Sequence, residues 1–122
     1  MPAAYRRQLR WILAAWVACL VILSLQPLRV HAARGGTLTH LALHILAFGF
    51  PTWLLQRLSA RRTGAWLAVL CALCLAAGIE SAQHLIYRNP FEWQDLSADL
   101  LGAVIAILPR LLTGDRRGCD ST

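Results

Sequence analysis

Four apolar blocks, separated by short polar segments rich in arginine, run along this chain: Trp11 to Leu28, Thr39 to Leu55, Ala65 to Ile79, and Leu96 to Leu112. Ser24, Gln26 and Pro27 interrupt the first block near its end, and the third continues as helix to about Tyr87. A helix rises 1.5 Å per residue, so a block of about 17 to 20 residues crosses a hydrocarbon layer of roughly 30 Å. The pattern therefore predicts an all-α fold, a four-helix transmembrane bundle. Residues 1–10 form an N-terminal segment, 11–112 the membrane domain and 113–122 a polar tail.

The connections Arg29 to Leu38, Gln56 to Gly64 and Arg88 to Gln94 are short. Short connections make consecutive helices antiparallel, so the arginines can be counted by side. Arg6, Arg7, Arg10, Arg57, Arg61, Arg62, Arg110, Arg116 and Arg117 fall on one side, and Arg29, Arg34 and Arg88 on the other. Nine against three places both termini in the cytoplasm under the positive-inside rule. Trp11, Trp53 and Trp66 fall near the inner interface and Trp93 near the outer one, as an aromatic belt requires, whereas Trp16 fits neither. Pro51 lies within the second block, where a neighbouring helix has to satisfy the carbonyl it frees.

Composition reinforces lipid as the solvent. The 122 residues are 57% hydrophobic and 15% charged, too apolar for a water-soluble domain of this size. The net charge of +6 comes wholly from arginine. These arginines cluster between apolar blocks and follow no single face, so they mark topology and exclude a nucleic-acid partner.

Cys71 and Cys74 have a C-x-x-C spacing, but they lie mid-block with Cys19 in a similar setting, where a thiol behaves as a small hydrophobe. Cys119 falls in the polar tail, and no disulfide framework is visible. A competing reading of the N-terminal region is a cleaved signal peptide ending at Val30-His31-Ala32, against which the length of its apolar stretch argues.

Charged groups in hydrocarbon cost on the order of 2.5 to 3.5 kcal/mol each on insertion scales, so the ones inside these blocks need a reason. They are grouped. His40 and His44 share a face of the second helix; Glu80, Gln83 and His84 share a face of the third, continuing Ala72 and Ala76; Asp95 and Asp99 share a face of the fourth, above Gly102, Ala103 and Ala106. Small residues beneath polar ones indicate faces turned to other helices. All three groups fall at one level in the outer part of the membrane, with Glu80 about 12 Å below Arg88 by helical rise. The expected result is a polar cavity open to the outside, in which the cations available to Glu80 and Asp99 are Arg88 and the histidines.

With Glu80-x-x-Gln83, Arg88, Asp95-x-x-x-Asp99-x-x-Gly102-Ala103 and the preceding His44, the chain resembles the VanZ-like family of bacterial membrane proteins over residues 39–107. The family pattern is similar to E-x-x-Q, R, D-x-x-x-N-x-x-G. Asp99 stands here in place of the usual asparagine, and His40-Leu41 in place of an Asp-Lys pair. The resemblance implies a protein of the bacterial cytoplasmic membrane, in a family linked to glycopeptide and particularly teicoplanin resistance. It does not by itself imply resistance for this member.

The residues suggest three functions. In the first, the outward pocket of His44, Glu80, Gln83, Arg88, Asp95 and Asp99, with His40 and His84 as secondary members, binds the headgroup of a membrane lipid or cell-envelope precursor. Arg88 would pair with a phosphate or carboxylate, and the acids and amide would receive donors. In the second, the pocket is an intramembrane hydrolase or transferase, metal-dependent or using Glu80 and His44 as acid and base. In the third, the chain is a structural subunit that docks a membrane protein partner. His40-x-x-x-His44 is a workable two-ligand spacing for zinc, but no third ligand follows from the spacing and H-E-x-x-H does not occur, so no metal and no cofactor is expected.

Overall fold

The protein is seen in a computed structural model, which describes residues 2–26, 37–59, 63–88 and 90–113. Among the described residues the chain forms four helices: α1 Ala3–Ser24, α2 Thr37–Leu58, α3 Thr63–Tyr87 and α4 Trp93–Thr113. Each is long and apolar enough to cross a membrane. The architecture is all-helical and that of a multi-pass membrane protein. Outside the described residues lie Arg29, Arg34, Arg61, Arg62, Arg116 and Arg117 of the topology count, the Val30-His31-Ala32 stretch, Cys119 and most of the tail.

The helices occur where the apolar blocks predict them, but their ends differ for local reasons. α1 starts at Ala3, eight residues before Trp11, because Tyr5 to Arg10 contains no helix breaker and its arginines, glutamine and leucine are good helix formers. It stops at Ser24, since Gln26 precedes Pro27 and a residue before proline is pushed out of the helical region. α3 ends at Tyr87, and Arg88 follows in the left-handed region with φ 55°. At the head of α4, the Asp95 and Leu96 N–H groups donate to the Glu92 carbonyl, and Asp95 lies in the first turn, where the helix dipole favours a negative charge.

The closest packing is between α2 and α4. The small Gly102 lets the α4 backbone lie directly on that of α2: a Cβ there would meet the Ile45 backbone, and one at Gly49 would lie 3.1 Å from the Gly102 carbonyl oxygen. Around this contact Phe48, Ala65, Val69, Ala72, Ala76, Ala103 and Ile107 form the buried core. Alanines dominate it because apolar bulk gains little in lipid, where close approach and dispersion hold helices together. The expected inward stripe of Ala72, Ala76 and Glu80 is buried throughout. Cys71 and Cys74 are free thiols on exposed faces, as small lipid-facing hydrophobes would be.

α1 is peripheral, with Leu9 as its buried residue, and hydrogen bonds attach it. Pro51 has no N–H, so the carbonyl four residues earlier, Ala47, lacks its helical donor. The Trp16 Nε1–H donates to that oxygen at 3.0 Å, and its ring packs against Phe50 at a centroid distance of 4.6 Å. Trp16, which fitted no interfacial belt, is therefore the donor that Pro51 requires. At the other end of α1, Gln83 Nε2 donates to Ser24 O at 2.7 Å and Tyr87 Oη to Leu25 O at 2.6 Å. These satisfy carbonyls that the end of a helix leaves without partners.

Candidate functional site

α2 and α4 begin, and α3 ends, at the same end of the bundle. All four acids of residues 2–113, Glu80, Glu92, Asp95 and Asp99, belong to this end, as do His40, His44 and His84. The spacing of four within each pair puts His40 above His44 on α2 and Asp95 above Asp99 on α4. Because α2 and α4 run parallel, the two pairs meet in register at a constant offset of 55 residues. His40 Nε2 lies 3.0 Å from Asp95 Oδ1, His44 Nε2 3.4 Å from Asp95 Oδ2, and His44 Nδ1 2.8 Å from Asp99 Oδ1. The imidazoles meet edge to face, with centroids 4.7 Å apart.

Side-chain exposure falls from 35% at His40 through 25% at His44 and 13% at Asp95 to 7% at Asp99. The cluster is thus a well that opens beside His40 and closes at Asp99. His44 is held at both ring nitrogens by carboxylates, so one of its contacts is a charge-assisted hydrogen bond and the other requires a second positive charge, a proton or a ligand.

The third wall comes from α3. Glu80 Oε1 accepts the Glu92 backbone N–H at 2.6 Å, tying the α3–α4 connection back onto α3. Glu80 is buried and within electrostatic reach of Asp95, Glu92 and His44. Three acids, Glu80, Asp95 and Asp99, against two histidines leave the well electron-rich, suited to amines, hydroxyl and amide donors, or cations.

The remaining candidates fall elsewhere. Gln83 faces α1 and bonds Ser24, while His84 is on an exposed part of α3. Helical spacing placed both on the Glu80 face, yet it does not say which neighbour each flank meets. Arg88 is exposed and makes no hydrogen bond or ion pair among the described residues. Its left-handed backbone costs a non-glycine residue roughly 1 to 2 kcal/mol, a strain that tends to persist at functional positions. Arg88 begins the connection that Glu80 holds at Glu92, so its backbone lies at the same end of the bundle as the acidic residues.

A shallow, mainly apolar groove runs beside the well between α2 and α4, lined by Leu41, Ile45, Trp93, Ser97, Ala98 and Leu101. Leu41, Ile45 and Ala98 are sequence neighbours of His40, His44 and Asp99, so a hydrocarbon chain there would lie alongside the polar well. At the opposite end, Arg110 donates to the Gln56 and Ser59 carbonyls and so closes the C-terminus of α2. Gln56 Nε2 bonds Ala106 O at 2.5 Å while its Oε1 is buried without a partner among the described residues. Sequence spacing gave no sign of these contacts at the opposite end, nor of Trp16 and Tyr87, because their acceptors are backbone carbonyls and leave no residue pattern. Neither a family model, nor a curated protein, nor a solved structure matches this chain.

Proposed function

We propose that this chain is a VanZ-like protein of the bacterial cytoplasmic membrane, with both termini in the cytoplasm, that binds the headgroup of a membrane lipid or cell-envelope precursor at its histidine-bearing end. The observation that carries the reading is a cluster of Glu80, His44, Asp95 and Asp99 from three helices at one level, with Arg88, exposed, left-handed and without a partner among the described residues, at the same end of the bundle. Such an end suits a headgroup with an anionic phosphate or carboxylate next to hydroxyl, amide or amino donors. Arg88 takes the anion through two parallel N–H donors. Asp95, Asp99 and Glu80 take the donors, and the groove beside Leu41 and Ile45 takes an acyl chain. Gln83 contributes indirectly by holding α1 against α3.

Orientation supports the same reading. Among the described residues, Arg6, Arg7, Arg10, Arg57 and Arg110 lie at the end opposite the well, which the positive-inside rule would assign to the cytoplasm. The test is extraction into nanodiscs with native lipid, followed by mass spectrometry of the retained lipids. The wild-type protein should enrich one headgroup class, and Arg88→Lys, which keeps the charge but loses the fork, should lower that enrichment at least tenfold. Equal retention by both proteins would overturn the reading.

A further inference from the structure

We infer that His40, His44 and Asp95 form a binding site for one divalent transition-metal ion of the zinc type, linking α2 to α4. The site shares His44 and Asp95 with the proposed headgroup well, but the metal is tested without any added headgroup.

Spacing along α2 supplies two imidazoles and nothing more. The third donor comes from another helix: Asp95 is brought between the two histidines by the parallel register of α2 and α4. One ligand atom from each residue can be chosen so that all three lie within 4.8 Å of one another. Zinc–nitrogen and zinc–oxygen bonds of about 2.0 to 2.2 Å in a tetrahedron place neighbouring ligand atoms about 3.3 to 3.6 Å apart. His40 Nε2 lies 3.0 Å from Asp95 Oδ1 and His44 Nε2 3.4 Å from Oδ2 of the same carboxylate, so whichever oxygen is the ligand already lies near that edge length from one imidazole. Closing the set brings two imidazole nitrogens and one Asp95 oxygen to a common point from ligand atoms that already lie within 4.8 Å of one another.

A second observation is independent of this convergence. His44 Nδ1 is 2.8 Å from Asp99 Oδ1, and Asp99 is nearly buried at 7% side-chain exposure. A carboxylate on the outer nitrogen fixes the tautomer of a metal-binding histidine, leaves the lone pair on the inner nitrogen and raises its basicity. Here that lone pair, on Nε2, faces the electron-rich Asp95 Oδ2 at 3.4 Å. A cation between the two atoms resolves the repulsion. A second proton on His44 would answer that one contact, whereas a metal ion engages His40 as well. The His40 side, the more exposed, leaves room for the fourth coordination position, open to water or an incoming oxygen ligand. Imidazole and carboxylate donors suit zinc and its neighbours in the first transition row and disfavour calcium and magnesium, which prefer all-oxygen sets.

The test uses the full chain, carrying a tag without histidine, in nanodiscs, stripped with chelator and then titrated with zinc alone. One zinc per chain should remain after desalting, and cobalt in its place should give the visible absorption of a four- or five-coordinate ion. His40→Ala, His44→Ala and Asp95→Ala should each lose stoichiometric zinc. Asp99→Asn should weaken zinc affinity by about 10- to 100-fold while keeping the 1:1 ratio. His84→Ala and Arg88→Lys should leave zinc affinity unchanged, so loss of headgroup retention and loss of metal are read separately. Failure of the folded wild-type protein to hold stoichiometric zinc overturns the inference without reference to any variant. Undiminished zinc binding by folded His40→Ala, the substitution on the open rim, overturns it equally.

Discussion

Gly102→Ala tests whether the α2–α4 contact sets the geometry of the polar well. The added Cβ would lie 2.8 Å from Ile45 Cα and closer still to its carbonyl oxygen. Both are backbone atoms, so no rotamer change relieves the clash, and the helices must separate by about 0.6 to 1 Å to restore ordinary contact at 3.4 Å or more. Overpacking of this kind costs roughly 1 to 3 kcal/mol. Alanine's better helix propensity, about 1 kcal/mol in water, offsets part of it. Because the clash is with backbone at both Ile45 Cα and its carbonyl oxygen, the cost belongs in the upper part of that range, about 2 to 3 kcal/mol, and the expected net loss is about 1 to 2 kcal/mol. Asp99 is one turn from Gly102, and its 2.8 Å bond to His44 would stretch beyond hydrogen-bond range under the same separation. Gly49→Ala meets the Gly102 oxygen at 3.1 Å and needs a shift of only a few tenths of an ångström, so its cost should stay below about 1 kcal/mol. Equilibrium unfolding in mixed micelles measures both. A Gly102→Ala protein as stable as wild type, or a Gly49→Ala protein that is the weaker of the two, would refute the packing argument.

Three further outcomes follow from other parts of the molecule. In an otherwise Cys-free background, Asn89→Cys should react with an impermeant thiol reagent from outside and Ser59→Cys only after the inner face is opened; external labelling of position 59 would invert the topology. Glu80→Leu should insert as well as wild type, because it removes an intramembrane charge, yet it should abolish headgroup retention because the Glu92 N–H loses its acceptor; full retention would make Glu80 a packing residue. Trp16→Phe should destabilise the protein by about 0.6 to 1.7 kcal/mol, the range of interhelical hydrogen bonds in membranes, and the cost should shrink in a Pro51→Ala background, where Ala47 O regains its helical donor; an undiminished cost would mean that Trp16 acts through its ring alone.

The spans were legible because membrane solvation writes itself into long apolar blocks, and the inward faces because alanine and glycine recur at helical spacing beneath Glu80 and Asp99. His44 and Asp99 were identifiable as members of one site, since polar residues four apart on neighbouring spans fall at one level. The partnerships themselves were not. That His40 meets Asp95 while Gln83 turns to α1 depends on helix rotation and on the parallel register of α2 and α4, which connection lengths do not specify. The third donor beside the two histidines was invisible for the same reason. Arg88 was singled out by its charge, whereas its left-handed backbone had no signature, since glycine, the usual occupant of that conformation, is absent at position 88.

That conformation also sharpens the most direct test of headgroup recognition. A photoreactive phenylalanine analogue replaces Gln94, which lines the groove beside the well, in cells that carry either native Arg88 or Arg88→Gly. Glycine relieves the backbone strain, so the variant protein should be at least as stable as its parent. Irradiation followed by mass spectrometry of the adduct should yield one dominant headgroup class with native Arg88 and the unselected composition of the surrounding membrane with glycine. An adduct distribution that is identical in the two proteins, or that consists of a single partner protein, would contradict the account.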